Sequence, residues 1–162
     1  SHFVSFDAFA LPYEKIRTWY LPPVKPEDEY ETSNDDTVII LEKLGDMKVS
    51  QAVWERGREY YMDNHVRYIC VADGHGKAIV EGEHAYEVEF DFADGEIRNL
   101  ICSCPCGYTC KHEVAAMMQL KETLELIDKH YADLHNGYFA AIVKGDLFRF
   151  VIDGHETGNF ML

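Results

Sequence analysis

The chain is predicted to fold as an α+β domain, a small antiparallel meander sheet flanked by helices, with a metal site at a strand-to-helix junction. Three observations predict it. Between residues 66 and 102, short segments alternate apolar and polar residues and are separated by turn-forming clusters. Helical periodicity brackets this region on both sides, over residues 50–62 and 110–131. Four of the five cysteines fall in one eleven-residue run, Cys102-Ser-Cys104-Pro-Cys106-Gly-Tyr-Thr-Cys110-Lys-His112.

Residues 1–20 carry Phe3, Phe6, Phe9, Tyr13, Trp19 and Tyr20, a density that suits a packed segment better than a stacking platform. They are expected to dock on the rest of this chain or on a missing part of a parent protein. Pro22, Pro23 and Pro26, followed by Glu27-Asp28-Glu29-Tyr30-Glu31, read as an extended, solvated linker over 21–36. Thr37–Leu44 fits a strand or a short helix, and periodicity does not decide between them. Ser50 is placed as the N-cap of a helix to Met62, with Val53, Trp54, Gly57, Tyr60 and Tyr61 on its buried face. Gly57 weakens a helix interior, so another backbone is expected to approach it closely.

Four strands follow: Val66–Ala72, Lys77–Glu81, Tyr86–Phe92 and Glu96–Cys102. In the third, Tyr86, Val88, Phe90 and Phe92 alternate with Glu87, Glu89 and Asp91, so one face is buried and the other wet. Asp73-Gly74-His75-Gly76, Glu81-Gly82-Glu83 and Ala93-Asp94-Gly95 supply the turns. The helix after the cysteines has a buried stripe of Ala116, Met117, Leu120, Leu124, Ile127 and Tyr131, with Glu125 placed to support Lys129 on the wet side. Gly137 ends this region, and Tyr138–Val143 with Leu147–Ile152 reads as a hairpin. The organisation is therefore an aromatic-rich segment and linker (1–48), a metal-binding domain (49–131) and a C-terminal β-hairpin extension (132–162).

The cysteine-rich run has the chemistry of a closed zinc site, because clustered thiols and an imidazole suit Zn²⁺ far better than calcium or magnesium. Side chains at i and i+2 of a strand share a face, so Cys102 and Cys104 can converge. Cys110 and His112 can converge only where a loop becomes a helix. Pairing Cys102 and Cys104 with Cys110 and His112 leaves five residues for the return, including Pro105 and Gly107. Pairing Cys104 with Cys106 leaves only Gly-Tyr-Thr, a cramped return, so the first set is favoured. Four protein ligands leave no open position, which makes the centre structural.

Cys102-Ser-Cys104-Pro followed by Cys110-Lys-His112 and Glu-Val-Ala-Ala resembles the SWIM zinc finger, named for chromatin-remodelling ATPases and Mutator-type transposases. Arg56-Gly57-Arg58-Glu59-Tyr60-Tyr61 looks like what precedes the finger in bacterial members, so the resemblance covers about residues 50–130. It implies Cys102, Cys104, Cys110 and His112 as the zinc ligands, with Cys106 at a position where the pattern has none. It also implies a zinc-stabilised module that binds nucleic acid or other proteins and does no catalysis itself. A helicase-like ATPase is the neighbour the family suggests.

Composition bounds the rest. An apolar content of 47% over 162 residues supports a real core. No apolar run reaches the roughly 20 residues that span a bilayer, and cysteines grouped for metal suit a reducing, intracellular (cytoplasmic) setting. Ser1-His2 in place of an initiating Met looks like a tag remnant, so the sequence is read as a fragment. Fifteen Lys and Arg oppose 29 Asp and Glu, for a net charge of −14. A protein partner or a neighbouring domain is therefore expected, with nucleic acid binding through Arg98 and Lys111 the second reading, since phosphate contacts need cations. Cys70 is read as a small buried hydrophobe. His65, His75, His84, His130, His135 and His155 are read as surface or turn residues. A reactive thiol at Cys106 lacks a base or an oxyanion arrangement, and no nucleophile elbow, phosphate loop or His-Glu-x-x-His is present. The chain is accordingly read as a non-enzyme.

Overall fold

A computed structural model describes residues 17–21, 38–72, 74–105, 109–130, 139–144, 147–152 and 155–161. Over the described part of the Thr37–Leu44 stretch, residues 38–44, both alternatives occur in succession: a two-residue strand β1 (Ile39–Ile40) runs directly into a 3₁₀ helix (Leu41–Asp46). Helix α1 (Gln51–Met62) then starts at Ser50, whose Oγ accepts from the Val53 amide at 3.2 Å. It stops at Asn64, which takes a left-handed backbone (φ 60°) while the amides of Asn64 and His65 bond back to the carbonyls of Tyr61 and Tyr60.

The expected meander follows as β2 (Val66–Ala72), β3 (His75–Glu81), β4 (Ala85–Ala93) and β5 (Glu96–Cys102). β3 begins earlier than anticipated, so His75 and Gly76 belong to the strand rather than to the turn before it. Gly76 is needed there by contact. A Cβ at this position would lie 2.2 Å from the Phe90 ring, which crosses from the paired residue of β4. Asp94 and Gly95, both at positive φ, close the β4–β5 turn.

Helix α2 (Lys111–His130) lies on this sheet against β2 to β5, and α1 packs on α2 from outside. Val66, Ile69, Val71, Ala78, Val80, Val88, Phe90 and Ile97 meet Ala115, Ala116, Met117 and Leu120 in the core. Ile127, Lys129 and Tyr131, expected on the faces of this helix, have side chains outside the described residues. The hairpin is present as β6 (Phe139–Lys144) and β7 (Leu147–Ile152), and a further strand, β8 (His155–Met161), follows it. β6 pairs with β2, giving an eight-stranded antiparallel sheet in the order β1-β5-β4-β3-β2-β6-β7-β8.

The sheet face away from α2 is not simply wet. Tyr68, Cys70, Ile79 and Glu87 are buried on it, and Arg17 reaches Glu87 at 3.2 Å. The end of the aromatic-rich stretch therefore docks on the sheet, while residues 1–16 and the linker at 22–37 lie outside the described residues. Among the described residues, no helix is long and apolar enough to cross a membrane.

Candidate metal centre

β5 delivers Cys102 as its last residue, and the bend after it carries Cys104. The two cysteines thus converge at a strand end, not within a strand. Cys110 stands immediately before α2, and the Val114 amide bonds to its carbonyl at 3.2 Å. Cys110 thus caps the helix. The Cys110 thiol also donates to Glu113 Oε1 at 3.6 Å, which ties the ligand ahead of α2 to its first turn. This contact joins positions three apart at the helix start, a spacing visible in the sequence as Cys110-x-x-Glu113.

The structure brings Cys102, Cys104, Cys110 and His112 together, with one ligand atom from each lying within 4.8 Å of all the others. His112 Nδ1 faces two of the sulfurs, at 3.7 Å from Cys102 Sγ and 3.5 Å from Cys110 Sγ. The Cys104 amide donates to Cys102 Sγ at 3.5 Å, which folds the bend back on its own first ligand. Cys104, Cys110 and His112 are buried, so the group is shielded from water on most sides. Cys106 lies outside the described residues. Four soft or borderline donors converging on one point have the chemistry to hold a metal ion.

Two aromatic rings hold His112 in this orientation. Tyr86 of β4 lies 4.6 Å from its ring centroid, and Tyr60 of α1 meets it edge-on at 5.8 Å. Tyr60 in turn stacks on His65 and lies under the Lys111 ammonium at 4.9 Å. Gly57, one turn earlier in α1, is a point of close approach by α2: a Cβ there would be 2.5 Å from Val114 and 3.0 Å from the Lys111 carbonyl oxygen. The expected close approach of a second backbone at Gly57 is therefore present. Of the other histidines, His75 is exposed on β3 beside Asp91, His84 is exposed in a turn, and His65 is half-buried against Tyr60. The side chains of His130, His135 and His155 lie outside the described residues.

The electrostatics are those of a site short of positive charge. Cys110 is drawn well below the ordinary thiol range, first by the neighbouring Cys102 and then by His112, against the opposing effect of burial. Cys102 is pushed up, first by its interaction with the neighbouring Cys110 sulfur and then by burial. Glu113 rises to about 9 through burial and the neighbouring Cys110 sulfur. The buried sulfurs and carboxyl compete for protons, and a dication among the sulfurs would replace them.

A one-residue bulge sets the direction of Cys102. Ile97 faces Phe92 and Cys102 faces Val88, so both sit on the helix side of the sheet although five positions separate them. Strict alternation would put them on opposite faces. The register shifts between Glu89 and Asp91, where Asn99 and Leu100 together oppose Phe90, and Asn99 is left-handed at φ 55°. No family model matches the chain, and no curated protein and no solved structure matches it either.

Proposed function

We propose that this chain is a zinc-binding module of SWIM type whose metal is structural and whose task is protein–protein or interdomain interaction. The observation that carries the zinc reading is the convergence of three sulfurs and one imidazole nitrogen within 4.8 Å. With zinc–sulfur bonds of about 2.3 Å and zinc–nitrogen bonds of about 2.0–2.1 Å, a tetrahedral site has sulfur-to-nitrogen edges of about 3.5–3.6 Å. The separations at His112 Nδ1 are 3.5 and 3.7 Å, so His112, Cys102 and Cys110 already stand at the spacing such an ion requires. Cys102, Cys104, Cys110 and His112 would hold it. The zinc would tie the end of β5 to the start of α2, with all four positions filled by protein.

An interaction role is supported by charge and by the Arg17 contact. Zinc held by three thiolates adds one more negative charge to a chain already at −14. Of the two cations nearest the site in sequence, Arg98 pairs with Glu96 at 3.0 Å and Lys111 is engaged over the Tyr60 ring. Neither is poised for a phosphate. By contrast, the segment ahead of the module already docks on it: Arg17 binds Glu87, and the Glu87 backbone accepts from the Ser103 amide and donates to the Ser103 hydroxyl, between two of the cysteines.

Elemental analysis is expected to find one zinc per chain. The zinc-loaded chain should bind mixed-sequence duplex DNA no more tightly than about 10⁻⁶ M at physiological salt, the tight end of non-specific binding. Absence of metal would overturn the zinc reading. Tighter binding with a steep salt dependence would replace the interaction role with nucleic acid recognition.

A further inference from the structure

We propose that Asn99 is the positioning residue of the metal centre: its left-handed backbone forms the β5 bulge that turns Cys102 toward α2. The inference rests on the metal-binding reading and adds to it a residue that touches no ligand atom.

The register on either side of the bulge is pinned independently. Upstream, Ile97 is fully buried opposite Phe92. Downstream, Ile101 pairs with Glu89, the Ser103 amide donates to the Glu87 carbonyl, and Ser103 Oγ accepts from the Glu87 amide. One residue more lies between these anchors on β5 than on β4, and it has to leave the ladder. Asn99 is suited to do so. Asparagine tolerates positive φ better than other residues with a side chain, and β-branched residues tolerate it worst. Its Nδ2 also donates to Asp91 Oδ2 at 2.7 Å, which pins the bulge to the neighbouring strand. Without the bulge, Cys102 would share a face with Arg98, turned away from Cys110 and His112 on the helix side.

The test uses the full chain with Asn99→Gly, Asn99→Ala and Asn99→Val. Zinc affinity is measured by competition with a chromophoric chelator. The sulfur-to-metal charge-transfer band of the cobalt(II)-loaded chain reports how many thiolates bind. Asn99→Gly keeps the backbone free to turn left-handed and should retain near-wild-type affinity and the full band. Asn99→Val should lose about 10–100-fold in affinity, the usual cost of removing an outer support of a metal site, and its band should shrink toward that of two thiolates. Asn99→Ala should fall between them, and it keeps the comparison informative where the Val variant fails to fold. A Val or Ala variant with wild-type affinity and a full band overturns the proposal. So does a Gly variant that loses as much as Val, because the backbone would then not be the cause. A wild-type chain that takes up neither ion overturns the metal reading itself, and the role of Asn99 with it.

Discussion

Replacing Cys110 with Ser is expected to lower zinc affinity by more than the roughly 100-fold that losing an outer-shell support costs at most. Cys110 holds three relations at once. Its sulfur lies 3.5 Å from His112 Nδ1, its thiol reaches Glu113 Oε1 at 3.6 Å, and its carbonyl takes the first helical bond of α2 from the Val114 amide. The substitution therefore removes a ligand and perturbs the helix start that carries a second one. Structural zinc supplies on the order of 10 kcal/mol of folding free energy in small fingers. Here the sheet has its own core of Val88, Phe90, Ile97 and their neighbours. Unfolding should accordingly be local, confined to the bend after β5 and the first turns of α2. Cys102→Ser, Cys104→Ser and His112→Ala should weaken zinc in the same way, whereas Cys106→Ser should leave it bound. Zinc stoichiometry across the five variants decides the ligand set. Loss of metal from the Cys106 variant together with its retention in the Cys102 variant would show that the wrong sulfurs were chosen.

Gly57→Ala should destabilise the chain by about 1–3 kcal/mol, the usual cost of overpacking a tight contact. In an exposed helix the same change would stabilise by about 1 kcal/mol, so the sign itself is diagnostic. The new methyl would sit 2.5 Å from Val114 Cβ and Cγ1, and the Lys111 carbonyl oxygen at 3.0 Å blocks its retreat. For a chain of this size each kcal/mol is worth roughly 2–4 °C in Tm. Lys111 and Val114 flank His112 on the first turn of α2, so displacing that turn should also weaken metal binding. Combining Gly57→Ala with Val114→Ala should recover part of the loss, as expected for residues in direct contact. An unchanged or raised Tm for the single variant would show that α1 and α2 can separate there at little cost.

The meander was legible in the sequence because its information is local. Alternation at Tyr86, Val88, Phe90 and Phe92 specifies which face is buried, and Asp94-Gly95 specifies a tight turn; neither depends on a distant part of the chain. Ser50 and the capping of α1 were legible for the same reason. The close spacing of Cys102 with Cys104 and of Cys110 with His112 is also local, so the candidate ligands could be named without coordinates. What escaped notice was either a two-residue deviation inside a regular pattern or a contact between remote segments. The bulge is of the first kind. Leu100 and Cys102 read as one face of a regular strand and Ile97 and Ile101 as the other, and only the pairing with β4 reveals that Ile97 and Cys102 share a face.

Glu87 shows the second kind most clearly. Alternation puts it on the wet face of β4, yet it is 4% exposed, because Arg17 arrives from 70 positions earlier to cover and neutralise it. The Tyr60 and Tyr86 rings around His112 come from different elements on either side of it. β8, and the joining of β6 to β2, likewise depend on which edge of the sheet is open once the meander has formed. The sequence by itself determined the four strands of the meander, the two long helices and the residues able to bind metal, since periodicity, turn chemistry and ligand spacing act over a few residues. Only the tertiary structure decided which way Cys102 points, what orients His112 and which charges are buried, since those depend on what the rest of the fold brings against each residue.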